Sequence, residues 1–153
     1  MNEPQESLRA VMIQIASGKL LLPNAAIAEI LSVADPEPLD DVPDWLLGQI
    51  RWRGWQVPLV SFTRLAGLGE TDRYLRGQRV LVLKALGGRA ERPYVALLTQ
   101  GFPRLVTVNA ATLEELEAPT DPLFAAHVRY QDEEAIVPDL DALETQLQDA
   151  LAA

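Results

Sequence analysis

Apolar and polar residues alternate along much of this chain with the two-residue period of β-strands. Val11, Ile13 and Ile15 share one face of an early segment, and Ser17-Gly18 follows them as a pair suited to a tight turn. The apolar run Leu20–Leu22 comes next. This pattern predicts two short strands that pair as a hairpin.

A second hairpin is predicted across residues 45–62, with its turn at Arg53-Gly54. In its first strand Ile50 and Trp52 share one face, and Arg51 lies on the other. The hairpin therefore combines large aromatic side chains with cations.

Further strands are predicted where short apolar runs are bounded by glycine, proline or acidic turns. They are Val80–Leu83, Tyr94–Thr99 after a loop at Gly87-Gly88, a separate strand with Leu105, Val106 and Val108 after Gly101 and Pro103, Val128–Tyr130, and a strand around Ile136 and Val137. Pro58 cannot donate a ladder hydrogen bond, so we expect it at a sheet edge or bulge. Nine or ten short strands with few helices predict a mostly-β barrel architecture.

Two helices are predicted. Ile27, Ile30 and Leu31 recur at helical spacing after Asn24, a suitable N-cap, which predicts a short amphipathic helix over residues 25–32. A C-terminal amphipathic helix begins after Asp139 and carries leucines at positions 140, 143, 147 and 151. Residues 63–68 indicate one further helical turn, and the proline-rich acidic segment 35–44 predicts an extended, solvated loop.

Composition narrows the class of protein. The chain has a net charge of −9, but its 48% hydrophobic content is too high for a disordered protein. Its length of 153 residues is that of one ordinary domain, so we expect a single domain, residues 1–153. It has no cysteine and a single histidine, His127, which excludes disulfides, cysteine nucleophiles and histidine-rich zinc sites. No signal peptide or membrane-spanning run is indicated, which predicts a cytoplasmic protein without membrane insertion.

Charge is unevenly distributed along the chain. Residues 1–50 carry 2 basic and 8 acidic side chains, residues 51–104 carry 10 and 3, and residues 105–153 carry 1 and 11. Eleven of the 13 cations are arginine, a side chain suited to planar contacts with carboxylates. The basic middle either neutralises the acidic ends within the fold or contacts a partner. Scattered arginines and acidic flanks argue against nucleic acid.

The residues offer little for catalysis. Ser61 and His127 could form a nucleophile and base, but Ser61 lacks the glycine-flanked turn of such nucleophiles. Acidic pairs such as Glu133 and Glu134 lie in turns, where solvation explains them, and Asp139 with Asp141 fits helix capping better than a cation site. We therefore expect no enzymatic activity, no cofactor and no metal.

Binding is the stronger interpretation, because Trp45, Trp52 and Trp55 gather with two arginines within eleven residues. Tryptophan and arginine dominate protein interfaces, although tryptophan is also common in cores. We expect Trp45 and Trp52 to be half-buried and Trp55 to be more exposed.

The order of several motifs resembles the CheW-type adaptors of bacterial chemosensory systems, nearly from end to end. The family pattern L-P-x-x-x-I-x-E-I corresponds to Leu22–Ile30, and its pattern G-V-I-N-L-R-G-x-V-V-P-V-V-D-L corresponds without gaps to Gly48–Phe62. Residues 79–86, 94–100 and the ending 128–143 resemble the later strands and helix of the family.

This resemblance implies two interlocked five-stranded barrels of SH3-like shape around a shared core, with a short helix and a C-terminal helix. It also implies a non-enzymatic scaffold that couples the cytoplasmic tips of chemoreceptors to the regulatory domain of a CheA-type histidine kinase. Arg53 matches the arginine that the family uses for receptor binding. The full set of expected protein-binding residues is Ile27, Glu29, Ile30, Gly48, Arg51, Trp52, Arg53 and Gly54. A side chain at Gly48 is expected to obstruct the approach of a partner.

Several residues depart from the family pattern. Arg51 replaces an asparagine, Trp52 a leucine, Ser61 an aspartate and Gln100 another aspartate. Such divergence resembles the adaptors of systems that control type IV pili and twitching motility. Two other classes remain open from the residues: an SH3-like interaction module in an unrelated assembly, and a hydrolase that uses Ser61 or a carboxylate pair.

Overall fold

The computed structural model describes residues 7–32, 36–68, 78–85 and 93–152. Its strands are β1 Leu8–Ile15, β2 Gly18–Pro23, β3 Ile27–Ser32, β4 Leu46–Trp52, β5 Trp55–Val60, β6 Gln78–Lys84, β7 Tyr94–Val108, β8 Leu113–Glu115, β9 Phe124–Tyr130 and β10 Glu133–Pro138. Its helices are a 3₁₀ turn Asn24–Ala26, α1 Phe62–Leu65 and α2 Leu140–Ala152. The mostly-β fold predicted from the sequence is confirmed.

One long strand, β7, joins two groups of strands. The pairing follows the order β3-β6-β7-β1-β2-β10-β9-β8, while β5 pairs with β7 and β4 pairs with β5. The first part of β7 pairs with β6 and β5, and its later part pairs with β1. We call β3, β6, β5, β4 and the first part of β7 the first strand group, and the remainder the second.

Three apolar clusters fill this arrangement. A central core lies between the groups and includes Leu20, Leu81, Leu97 and, from α2, Leu143. A first core lies within the first strand group, and a second core lies within the second group. Strands such as β6 bury Leu81 and Leu83 in the central core and Val80 and Val82 in the first core, which explains their continuous apolar runs.

The expected shared core is thus present, between two strand groups that each have a local core. The described pairings form an open path, and the closure of each group into a five-stranded SH3-like barrel is compatible with them. In β5, Pro58 pairs with Gln49 on one side, just before the pairing with β7 begins at Leu59. The missing N–H of Pro58 is therefore tolerated.

Both predicted hairpins and the C-terminal helix are confirmed. Ala16-Ser17 joins β1 to β2, one residue before the predicted Ser17-Gly18 turn, because Gly18 already pairs with Ile15, and Arg53-Gly54 joins β4 to β5 as predicted. The carboxylate of Asp139 accepts a hydrogen bond from the Ala142 backbone N–H at 3.0 Å, as expected of a helix N-cap. The Gly87-Gly88 loop lies outside the described residues.

The predicted helix over residues 25–32 is wrong, because this segment is a 3₁₀ turn followed by β3. A β-bulge between Ile27 and Glu29 inserts one extra residue opposite β6. The bulge places Ile27 and Ile30 on the same face, where both pack against the central core. The bulged strand therefore gives the inward-facing residues Ile27 and Ile30 the three-residue spacing that is typical of a helix.

The predicted break near Gly101 is also wrong, because β7 continues through it as a single strand of 15 residues. Pairing shifts there: Met12 lies opposite Arg104, whereas Gln14 lies opposite Gln100. The glycine and proline of this segment form a bulge within the strand and do not end it.

The proline-rich acidic loop is more ordered than expected. The backbone of Glu37 exchanges two hydrogen bonds with Gln49 of β4, at 2.8 and 2.9 Å. Leu39, Val42 and Trp45 pack against the central core. The loop is therefore held against β4 by backbone hydrogen bonds and against the central core by apolar packing.

Gly48 lies beneath this loop. Its φ is +145°, and a Cβ atom there would lie 2.4 Å from the carbonyl oxygen of Glu37 and 3.0 Å from the side chain of Pro36. We expected a side chain at this position to obstruct a partner, but the structure places it against the chain's own loop.

We expect Gly48→Ala to lower the free energy of unfolding by about 1–3 kcal/mol, because the new methyl group forces the loop away from β4. Gly18→Ala is the matched control, since Gly18 has a similar φ of +152° but no atom within 4 Å of its Cβ position. Chemical denaturation of the two variants checks this. Equal losses in both would contradict the role of the loop contact.

Candidate functional site

The turn between β4 and β5 presents two residues in the left-handed backbone region. Arg53 has φ +48° and Gly54 has φ +81°, and Trp52 pairs directly with Trp55. Positive φ at both central residues defines the two-residue turn that fits the twist of a hairpin. For a residue other than glycine this conformation costs roughly 1–2 kcal/mol, which contacts of the Arg53 side chain offset in part.

Those contacts come from Glu29 on β3. Its carboxylate accepts a hydrogen bond from Trp52 Nε1 at 2.9 Å and another from Arg53 Nη2 at 2.7 Å. The Arg53 guanidinium also lies over the Trp52 ring, 4.8 Å from its centroid. We call Glu29, Trp52 and Arg53 the Glu29 cluster. It links β3 to β4, the two ends of the first strand group.

The cluster changes the acidity of Glu29. The hydrogen bond from Trp52, followed by the hydrogen bond and charge of Arg53, lowers the pKa of Glu29 below its ordinary value, although partial desolvation opposes this. Glu29 is therefore ionised at neutral pH and keeps both donors.

An aromatic cluster of Trp52, Trp55 and Tyr94 adjoins the Glu29 cluster. Tyr94 contacts Trp52 edge-on at 4.8 Å between centroids and Trp55 at 6.1 Å. Trp52 is buried, whereas Trp55 is 39% exposed. The arrangement offers a partner an exposed indole beside the side chain of Arg53, which is 66% exposed. These properties suit protein binding.

The CheW-like domain family model matches residues 9–148. The chain belongs to the CheW-like domain family. The scaffolding protein TtCheW from Thermoanaerobacter tengcongensis has a similar solved structure, with a TM-score of 0.73 and 14% identity over 92% of this chain and 89% of that chain. At this identity the likeness establishes the fold. Comparison with curated protein sequences gave no match.

This CheW-like domain brings together only part of the expected site. Glu29, Trp52, Arg53 and Gly54 meet at the hairpin turn, and Arg51 is exposed on the opposite face of β4. The other three expected residues serve internal packing in the structure: Ile27 and Ile30 pack against the central core, and Gly48 lies beneath the loop.

Trp55 was one of the three tryptophans that favoured a binding function, but neither it nor Tyr94 was in the full set of expected binding residues. Trp55 occupies a position that is variable in the family pattern, and Tyr94 lies on a distant strand. The position of Trp55 directly after the two-residue turn was the available signal for it. Nothing in the sequence indicated that Tyr94 would reach it.

The residues weighed for catalysis contact other parts of the structure. Ser61 is buried, and its hydroxyl accepts a hydrogen bond from the Arg64 backbone N–H, which caps α1. His127 lies 3.6 Å from Glu134, and its contacts do not include Ser61. Glu133 pairs with Lys19 at 2.7 Å and with Arg104.

Within the described ranges, no cluster of three metal-ligating side chains occurs. None of the helices in those ranges has the length and apolarity to cross a membrane.

We expect Glu29→Gln to destabilise the protein at neutral pH, by an amount that shrinks as the pH falls. The folded state lowers the pKa of Glu29, so its contribution is present above the unfolded-state pKa and lost as pH falls through the folded-state value. Denaturation midpoints of both proteins, measured from neutral pH into acid, check this. The Trp52 indole N–H resonance should titrate with Glu29.

The control is Glu115→Gln, which removes an exposed carboxylate from β8. We expect it to change stability little at any pH. A difference between wild type and Glu29→Gln that stayed constant into acid would contradict the role of the Glu29 charge.

Proposed function

We propose that this CheW-like domain is a non-enzymatic adaptor that couples chemoreceptors to a CheA-type histidine kinase in the cytoplasm. The family match across residues 9–148 carries the proposal. The Glu29 cluster supports it, because it holds an exposed arginine in a strained turn where a partner can reach it. The contacts of Ser61 and His127 favour this function over a hydrolase.

In this proposal Arg53 contacts the receptor tip. Its guanidinium donates to Glu29 through one nitrogen, Nη2. Other N–H groups of the guanidinium remain available to a receptor carboxylate, and a charge-assisted contact of this kind is directional. The turn residue Gly54 leaves room beside it, since no atom lies within 4 Å of its Cβ position. Arg51 adds a second exposed cation on the outer face of β4.

We assign the kinase contact to the region of β3 that carries Ile27, Glu29 and Ile30. Ile27 and Ile30 are only partly buried, so they remain available at the surface while they pack against the central core. β3 is also at one end of the pairing path. Gly48 contributes to this surface indirectly, since it allows the loop to cross β4 beside it.

We further propose that the adaptor belongs to a system that controls type IV pili and twitching motility. The departures at Arg51, Trp52, Ser61 and Gln100 support a specialised partner set. Trp52 is buried and belongs to both clusters of the hairpin, so its replacement of leucine changes the contacts beneath the exposed Arg53.

The test is a titration of the purified protein against two partners from the same organism, a receptor cytoplasmic fragment and the regulatory domain of a chemosensory histidine kinase. We expect micromolar or tighter binding to both, which corresponds to about 8 kcal/mol or more of binding free energy. Arg53→Ala should weaken receptor binding at least about tenfold, because it removes a charged hydrogen bond, and should leave kinase binding within about twofold.

Two variants serve as controls. Arg9→Ala removes an exposed arginine from β1, and we expect it to leave receptor binding unchanged. Glu29→Gln perturbs the cluster while it keeps Arg53, so it should weaken receptor binding less than Arg53→Ala. Absence of binding to either partner by the folded wild-type protein would overturn the adaptor function and favour an SH3-like module of another assembly.

A further inference from the structure

The Glu29 cluster shows how this hairpin binds a carboxylate. Glu29 receives one hydrogen bond from an indole N–H and one from a cation, and the same cation lies over the indole ring. An indole donor beside a cation is therefore a carboxylate-binding arrangement in this protein.

A second indole, that of Trp55, and a second cation, Lys84, both adjoin Tyr94. Trp55 contacts Tyr94, and Tyr94 pairs directly with Lys84 of β6. Directly paired residues of antiparallel strands point to the same face, so Lys84 and Tyr94 emerge together. Lys84 is exposed and makes no ion pair within the described part of the chain, and Trp55 Nε1 has no acceptor there.

The local charge favours an acidic partner. Arg53 lies over Trp52 and Lys84 is the strand partner of Tyr94, and the carboxylate of Glu29 is already shared by two donors. The whole chain has a net charge of −9, so the charge of Lys84, which no carboxylate of the described residues pairs with, is a local exception. Cations around an exposed aromatic ring attract carboxylates and accept an apolar side chain between them.

We propose that Trp55 and Lys84 bind a carboxylate of the chemoreceptor tip, with an adjacent aliphatic side chain of the receptor packed on Trp55 and Tyr94. This inference rests on the proposed function and adds to it the residues that select the receptor. Arg53 lies over Trp52, and Tyr94 contacts both Trp52 and Trp55, so one acidic receptor segment can reach Arg53 as well as Trp55 and Lys84. Trp55 lies at a position that the family pattern leaves variable, which suits a determinant of specificity.

The test is a titration of the receptor cytoplasmic fragment at two salt concentrations with four variants. We expect Trp55→Ala to weaken binding about tenfold and Trp55→Phe about threefold, because phenylalanine keeps the ring contact but lacks the N–H donor. Lys84→Gln should weaken binding about threefold and make it less sensitive to salt. Leu68→Ala is the matched control, since Leu68 is 43% exposed and Trp55 is 39% exposed.

The outcomes separate this inference from the proposed function. If Arg53→Ala loses receptor binding while Trp55→Ala, Trp55→Phe and Lys84→Gln stay within twofold of wild type, the inference is overturned and the adaptor function stands. If the Trp55 and Lys84 variants lose binding to the kinase regulatory domain and keep receptor binding, the choice of receptor is overturned. If the folded wild-type protein binds neither partner, both proposals fail.

Discussion

The contact between Glu29 and the β4–β5 hairpin joins the two ends of the first strand group. Backbone pairing runs from β3 through β6, β7 and β5 to β4, and leaves β3 and β4 at opposite ends of the path. The carboxylate of Glu29 brings these ends together through Trp52 and Arg53. A side-chain contact thus supplies, at this position, the connection that strand pairing supplies elsewhere in the sheet.

The same contact connects the fold to the proposed function. It holds Arg53 in a positive-φ conformation that a residue other than glycine rarely adopts, and it fixes the indole of Trp52 against Tyr94. A partner therefore meets an arginine and an aromatic surface that are already ordered. Less conformational entropy is lost on binding when the contacting side chains are ordered beforehand.

The sequence allowed the hairpins, the C-terminal helix and the mostly-β class to be predicted, because each leaves a local signal in turn residues or leucine spacing. It misled at Ile27 and Ile30, whose spacing of three arises from a bulge that no local pattern reveals. Only the family resemblance placed Glu29 in one binding set with Trp52 and Arg53. Their contact joins two strands that are not paired, so periodicity within either strand could not indicate it.

The bulge in β7 does not change which residues of the strand face which side of the sheet. Between the pairs Met12 with Arg104 and Gln14 with Gln100, β7 has two more residues than an unbroken antiparallel ladder requires. Because side chains alternate with a period of two, this pair of extra residues leaves the alternation unchanged. Odd-numbered Val95 and Leu97 face the central core, and even-numbered Ala96 and Val106 face the two local cores. A single inserted or deleted residue would invert one half of the strand, so length variation here is tolerated only in steps of two.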